Sequence, residues 1–408
     1  MRPADPRRAA ERVARLSYGR LVALLAARSG GDLASAEDAL GDALARALER
    51  WPCDGVPANP EGWLMTAARR RLIDAARMRG TAAAKEDEVM RRYEERAAEE
   101  HAWPEERLML LYACTHPAVP APDRTPLMLQ AVLGLPARRI AGTFLTTPAA
   151  MGQRLSRAKA RIAAARSAFE APAPGEIGGR TADVLAAVYA AATIGAEHRG
   201  EDAGELAGEA LWLASLVADL VPDAAEAHGL LALILFVEAR RDAGRDGAGA
   251  FVPLDRQDPG RWDAAMLADA EAALRHAGRM ARPGRFQIEA SIQAVHAARR
   301  TTGRTDWEDV ALLYEGLVVL SPTLGALTAR AAALGEARGP EVGLGALDAV
   351  PGDRRASYQP WWAARGHLLA AAGRASEARD AFLRAAGLAT DPAIQRYLAG
   401  RARRQSDA

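Results

Sequence analysis

The sequence predicts an all-α protein, on three observations. Half of the 408 residues are hydrophobic while only 5% are aromatic, and the apolar positions are mostly Ala and Leu, which favour helix over the Val, Ile, Tyr and Thr of strands. In "LTTPAAMGQRLSRAKARI", residues 145–162, an apolar residue recurs every third or fourth position with bases on the opposite side, the pattern of a helix that buries one face. Pro and Gly interrupt such patterns at "APAPGEIGGR", 171–180, which reads as a boundary. The length suggests two to four domains of ordinary size.

A second break is the polar stretch "RGTAAAKEDEVMRRYEERAAEEHAWPEE", 79–106. Its high charge and lack of an apolar stripe read as a linker with one solvated helix. The chain therefore divides into 1–80, a linker over 81–104, 105–170 and 178–400. A chain ended after Ala171 is expected to leave a folded front fragment. Residues 1–170 hold 27 Lys and Arg against 21 Asp and Glu, and residues 171–408 hold 26 against 31. A basic front half joined to an acidic rear half points to polyanion binding by the front.

No run of about 18 apolar residues occurs and the N-terminus "MRPADPRRAAERVARL" is charged, so a cytoplasmic chain without a membrane partner is expected. Cys53 and Cys114 lie in separate segments, which indicates neither a disulfide framework nor a zinc site. His116 stands two residues from Cys114, but two ligands are too few for a closed metal site. No nucleophile–base pair or phosphate-cradling glycine loop stands out. Neither enzymatic activity nor a cofactor is expected.

Taken in order, the first element is "SAEDALGDALARALERW", 35–51. Ser35 with Asp38 resembles a capping box, and Leu40, Leu44 and Leu48 form a stripe beside Ala36, Ala43 and Ala47. Asp42, four residues from Asp38, repels it on the same face. An acidic face here suits a basic protein partner. The second element, "GVPANPEGWLMTAARRRLIDAARMRG" at 55–80, opens with Pro60 and Glu61. Trp63, Leu64, Ala67, Ala68, Leu72 and Ile73 can pack inward, leaving Arg69, Arg70, Arg71, Arg77 and Arg79 as a basic stripe against Asp74. Such a helix suits a melted strand, and a solvated amphipathic helix explains the same residues equally well.

The third element is a helix pair over 135–162. Pro136 opens a first helix that carries Arg138 and Arg139, expected to contact DNA, with Ile140 and Phe144 on one face. A short turn follows, and Thr147 caps a second helix beginning at Pro148. This is a helix-turn-helix pattern. Met151, Leu155, Ala158 and Ile162 share the inner face; Gln153, Arg154, Arg157 and Arg161 lie outside, flanked by Lys159. No acid occurs between Thr147 and Arg166, whereas a solvated helix ordinarily mixes Glu with Arg. Ala149, Ala150, Gly152, Gln153 and Arg154 are placed for bases and Arg157, Lys159 and Arg161 for phosphates.

Further on, "DAGRDGAGAFVPLDRQDPGRWD", 242–263, reads as a surface loop packed by Phe251 and Trp262. "WWAARGHLLAAAGRASEARDAFLRAAGLATDP", 361–392, resembles a tetratricopeptide (TPR) unit, with Gly373 at the turn and Ala378, Phe382 and Ala385 spaced for the second helix. Leucine-then-proline junctions near Pro222 and Pro322 fit the same repeat.

The three front segments, in this order, resemble a bacterial extracytoplasmic-function sigma factor. "AEDALGDALARALERW" is similar to that family's polymerase-binding helix, "PEGWLMTAARRRLID" to its −10-reading helix, and "LPARRIAGTFLTTPAAMGQRLSRAKARI" to its −35-reading helix-turn-helix. "YACTHPAV", "PLDRQDPGRW" and the TPR-like helices are similar to a subgroup with a C-terminal TPR-like extension. The resemblance implies that Asp38, Leu40, Asp42 and Leu44 face core RNA polymerase. It places Arg69, Arg70, Arg71, Asp74 and Arg77 at the melted −10 strand, and the outer residues of 147–161 on promoter DNA. Gly41 stands where the family usually has Gln, and Arg70 where it usually has Asn. A regulatory protein on the TPR-like part is a further partner that the resemblance suggests.

Two rivals remain on the residues alone. A DNA-binding regulator with a TPR sensor that is not a sigma factor shares the helix-turn-helix but has no use for the 35–80 pair. A helical-repeat adaptor or enzyme binding a small molecule at 242–263 requires convergent ionisable groups there.

Overall fold

The computed structural model describes residues 6–7, 10, 17–19, 21–22, 24–26, 32–57, 59–78, 106–144, 146–164, 172–197 and 201–405. The linker expected over 81–104 lies outside them. Among the described residues the structure is all-α, with no strand and one isolated bridge between Arg245 and Phe251. No described helix is long and apolar enough to cross a membrane. The chain forms two compact units, one of Met1–Ile194 with Asp219–Val221 and the other of Gly195–Ala218 with Pro222–Ala408.

The first unit opens with helical residues at 6–7, 10, 17–19, 21–22 and 24–26, then α1 (Leu33–Asp54) and α2 (Pro60–Met78). α1 starts earlier than the capping-box pattern at Ser35 suggests. The Asp32 carboxylate accepts from the Ser35 amide at 3.0 Å, so an acid three residues upstream caps the helix and meets its positive end. α1 buries Leu33, Ala36, Ala39, Leu40, Ala43, Ala47 and Trp51. α2 is capped by the Asn59 side chain, which accepts from Gly62. It buries Leu64 and Ala68 and sets Trp63 edge-on to Trp51 at 5.6 Å.

α3 (Glu106–Ala113), α4 (Ala121–Ala131), α5 (Ala137–Thr143) and α6 (Pro148–Ala164) follow. Pro136 precedes α5 as its N-cap, and Thr147 Oγ1 accepts from the Ala150 amide at 3.2 Å to cap α6. Met151, Leu155, Ala158 and Ile162 are buried. α1 and α6 are in contact within this unit. Gly19 rests so closely on Val132 that a Cβ there would lie 1.8 Å from the Val132 carbonyl oxygen. Only a glycine admits that approach.

α7 (Pro174–Glu197) follows the Pro/Gly-rich stretch that reads as a boundary, yet it belongs to the first unit as far as Ile194. The buried Tyr112 hydroxyl shares a 2.9 Å hydrogen bond with Thr181, and Arg124 pairs with Asp183 at 2.6 Å. The break between units therefore falls at 194/195 rather than in 171–180.

The second unit contains α8 (Glu201–Leu220) as far as Ala218, then α9 (Ala225–Glu238), α10 (Ala264–Arg279), α11 (Arg285–Ala297), the one-turn α12 (Arg299–Thr302), α13 (Trp307–Leu320), α14 (Leu324–Arg338), α15 (Pro340–Asp348), α16 (Gln359–Ala371), α17 (Ala375–Leu388) and α18 (Pro392–Arg404). Neighbouring helices pack as pairs, α9 with α10, α14 with α15, α16 with α17 and α17 with α18 among them. In the α16/α17 hairpin Gly373 takes φ 73° at the turn, and Gly366 lets the Phe382 ring approach to 2.8 Å of where a Cβ would stand. Ala378, Phe382 and Ala385 are buried. The segment 239–263 links α9 to α10 through three short 3-10 turns. Trp262 is buried in it, and Phe251 stacks edge-on with Tyr397 at 5.3 Å.

Candidate functional site

The α1/α2 pair presents acids on one helix and bases on the other. Asp38 and Asp42 are exposed on α1, and Arg69, Arg70, Arg71 and Asp74 are exposed on α2. The Arg77 side chain lies outside the described residues. A shallow cleft between the helices is lined by Ser35, Asp38, Asp42, Arg71 and Leu72. Across it Arg71 Nε donates to Asp42 Oδ2 at 2.6 Å, both side chains about half exposed. An exposed pair of this kind is worth about 0–1 kcal/mol, so either partner can be released to a competing charge. Leu44 is half-buried. Leu40 departs from the expected surface position: it is fully buried, because it lies on the α1 stripe that also carries Ala36 and Ala43.

On α5 and α6, Arg138, Thr147, Ala149, Gln153, Arg157 and Arg161 are exposed, while Arg139 and Ala150 are half-buried. The basic face lacks acids of its own, but the fold supplies them from elsewhere. Asp123 on α4 accepts from Arg154 Nε at 2.9 Å and lies 3.7 Å from Arg161. Arg154 Nη2 also donates to the Pro122 carbonyl at 2.9 Å. Arg154 is thus a clamp between α4 and α6 as well as a candidate base reader.

Lys159 requires a larger correction. The sequence places it on phosphate, but its side chain is only 14% exposed and pairs with Glu37 on α1, itself 12% exposed. The packing of α6 on α1 covers this flank. Burial raises the Glu37 pKa against the opposing pull of Lys159, and its Oε1 has no hydrogen-bond partner among the described residues. The α1/α6 contact is therefore closed around a desolvated ion pair that neither helix signals by itself.

Cys114 is buried nearby, its thiol pushed up to about 12 first by burial and then by Glu37. Such a thiol is not a ready nucleophile. His116 Nδ1 accepts from the Ala118 amide at 3.1 Å. Its pKa is lowered, first by burial and then by Arg180. Among the described residues no group of three His, Cys, Asp or Glu is arranged to hold a metal.

Comparison with known proteins bears on both units. Residues 16–81 match the Sigma-70 region 2 model, and residues 180–278 match a family of unknown function, DUF6596. Uncharacterized protein R00370 of Rhizobium meliloti (strain 1021) is 37% identical over 374 residues, covering 89% of this chain and 88% of that protein. No solved structure matches. The Sigma-70 region 2 match supports a sigma-factor-like role in transcription initiation and implies binding to core RNA polymerase.

Proposed function

We propose that this chain, which belongs to the same family as uncharacterized protein R00370 of Rhizobium meliloti, is an alternative sigma factor of the extracytoplasmic-function type. It binds core RNA polymerase and directs it to specific promoters in the cytoplasm, with no catalytic role of its own. The match of Sigma-70 region 2 to residues 16–81 carries this reading, because it falls on the α1/α2 pair with acids on one helix and arginines on the other. In this reading Asp38, Asp42 and Leu44 meet the polymerase, and Arg69, Arg70, Arg71, Asp74 and Arg77 serve the melted −10 strand. α5 and α6 form the −35 reader. The close α16/α17 hairpin supports a TPR-like rear unit, a fixed accessory to initiation on which a regulatory protein docks. Reconstitution with core polymerase on a promoter library tests the role: specific initiation supports it, and duplex binding without initiation favours a regulator that is not a sigma factor.

Asp42→Arg is expected to abolish most association with core polymerase while leaving the fold intact. Asp42 is exposed, and its ion pair to Arg71 is replaced by repulsion that solvent screens. Pull-down of core polymerase at wild-type levels would reject the assignment, and Asp42→Asn separates loss of charge from its reversal.

For the −35 reader, Arg157→Ala is expected to weaken duplex binding almost uniformly across sequences and to reduce the salt slope by about one. Arg157 is exposed on α6. Arg154→Ala is expected to weaken binding and also lower the melting temperature, since Asp123 keeps only the longer contact to Arg161. Titrations of labelled duplex at several salt concentrations, with melting curves alongside, check both outcomes.

A further inference from the structure

The segment after α9 holds a buried cation that the proposed role in transcription does not use. Arg240 is only 8% exposed. Its Nη2 donates to Gln293 Oε1 on α11, while its Nη1 is buried with no partner among the described residues. Its guanidinium lies 5.9 Å from the centre of the buried Trp262 ring, and that of Arg299, the first residue of α12, lies 5.1 Å from the same ring. Arg299 is half-buried and donates from Nη2 to the Gln257 carbonyl at 2.7 Å. Gln257 Oε1 in turn accepts from Trp262 Nε1 at 3.2 Å. One indole is therefore fixed between a loop and two guanidiniums.

What is missing is the counter-charge. Among the described residues neither guanidinium makes an ion pair with a carboxylate, and the charge that Arg240 feels most is that of Arg299. Three acids of this segment and its flanks are engaged elsewhere: Glu238 with Arg241 at 2.5 Å, Asp263 in capping α10, and Asp258 with the Gly260 amide. His296 is held neutral, its pKa pushed down to about 4 by burial first and then by Arg240 and Arg299, and so offers no counter-charge. A desolvated cation is normally paired, and a structural role alone is met as well by an apolar side chain of similar size. A planar guanidinium fork with an unpaired N–H is the group that recognises carboxylate and phosphate oxygens.

We propose that Arg240 and Arg299, both set over the Trp262 ring, form a binding site for a small free oxyanion, a carboxylate or a phosphate. The anion enters from the half-exposed side of Arg299 and completes the hydrogen bonding of Arg240. The site makes the rear unit a receiver of an anionic small molecule, whatever the front unit does on DNA.

Melting curves and calorimetry of the full chain test this with sodium phosphate and sodium citrate as probes, against sodium chloride at equal ionic strength. Excluded salts stabilise proteins generally at high concentration, so the informative signal is a rise in melting temperature that saturates at low concentration. The expected result is such a rise with at least one probe, and which probe acts distinguishes phosphate from carboxylate recognition. Arg240→Met should abolish it while leaving the melting temperature in chloride unchanged or higher. Arg299→Gln, at a half-buried position, should weaken apparent affinity by about tenfold or more, as expected for loss of a charge-assisted contact, and carries the test if Arg240→Met does not fold. Equal melting in chloride, phosphate and citrate would overturn the proposal, as would a saturating rise that persists in both variants.

Discussion

A chain ended after Ala171 is expected to lose the cooperative unfolding transition of the front unit, whereas one ended after Glu197 keeps it. The shorter cut removes α7, and with it Thr181 and Asp183. Tyr112 is fully buried, so its hydroxyl is left without the 2.9 Å partner it has in Thr181, at a cost of about 1–3 kcal/mol. Arg124 loses Asp183 at the same time. Together with the packing lost along α7, this is a large share of a net stability of about 5–15 kcal/mol. Circular dichroism melting of both fragments, with Tyr112→Phe in the full chain to isolate the hydrogen bond, measures the effect. Two fragments with the same sharp transition would place α7 outside the front fold.

Lys159→Met is expected to destabilise the front unit by about 3–5 kcal/mol at neutral pH, the usual result of stripping a buried carboxylate of its cation. Glu37 is already raised above the ordinary glutamate value with Lys159 present, and removing the ammonium raises it further. A raised carboxylate pKa makes the folded state hold its proton more tightly. Stability therefore falls as pH rises from the unfolded value through the folded one. The deficit of Lys159→Met should accordingly shrink as the pH is lowered toward that of an ordinary glutamate. Adding Glu37→Leu should recover most of the stability at neutral pH, because an apolar pair needs no compensation. If Lys159 serves only DNA, the single variant melts like wild type and instead lowers the salt slope of duplex binding by about one.

Local punctuation was readable in the residues. Pro136, Thr147 and Pro148 bound α5 and α6 because proline and a threonine cap act on the backbone beside them, and Gly373 marks the α16/α17 turn for the same reason. α1 starts three residues before the Ser35 capping pattern implies, because Asp32 offers a cap upstream of Ser35. Long-range partners were not readable. Nothing within α6 reports that Asp123 and Glu37 will answer its bases, since both lie on other helices. The stretch 171–180 has the composition of a linker, and the side chains that tie α7 to the front unit come immediately after it. In the 239–263 segment Phe251 and Trp262 account for the packing by themselves, and no residue there announces two arginines on one indole. That arrangement depends on α11 and α12 meeting the loop.

The seating of Gly19 on Val132, and of Lys159 on Glu37 122 positions earlier, also constrains how the front unit is made. Helices alone form within about a microsecond, but contacts between distant parts of the chain carry the entropy of closing the intervening loop. On the ribosome the N-terminal helical residues emerge long before α4, and α1 before α6. During that interval the surfaces around Gly19 and Glu37 lack their partners, and the nascent chain exposes apolar stripes that the finished unit covers. Such a chain folds more slowly than a bundle closed by neighbouring helices. Until the distant partners arrive, those exposed stripes are where association with other chains competes with folding.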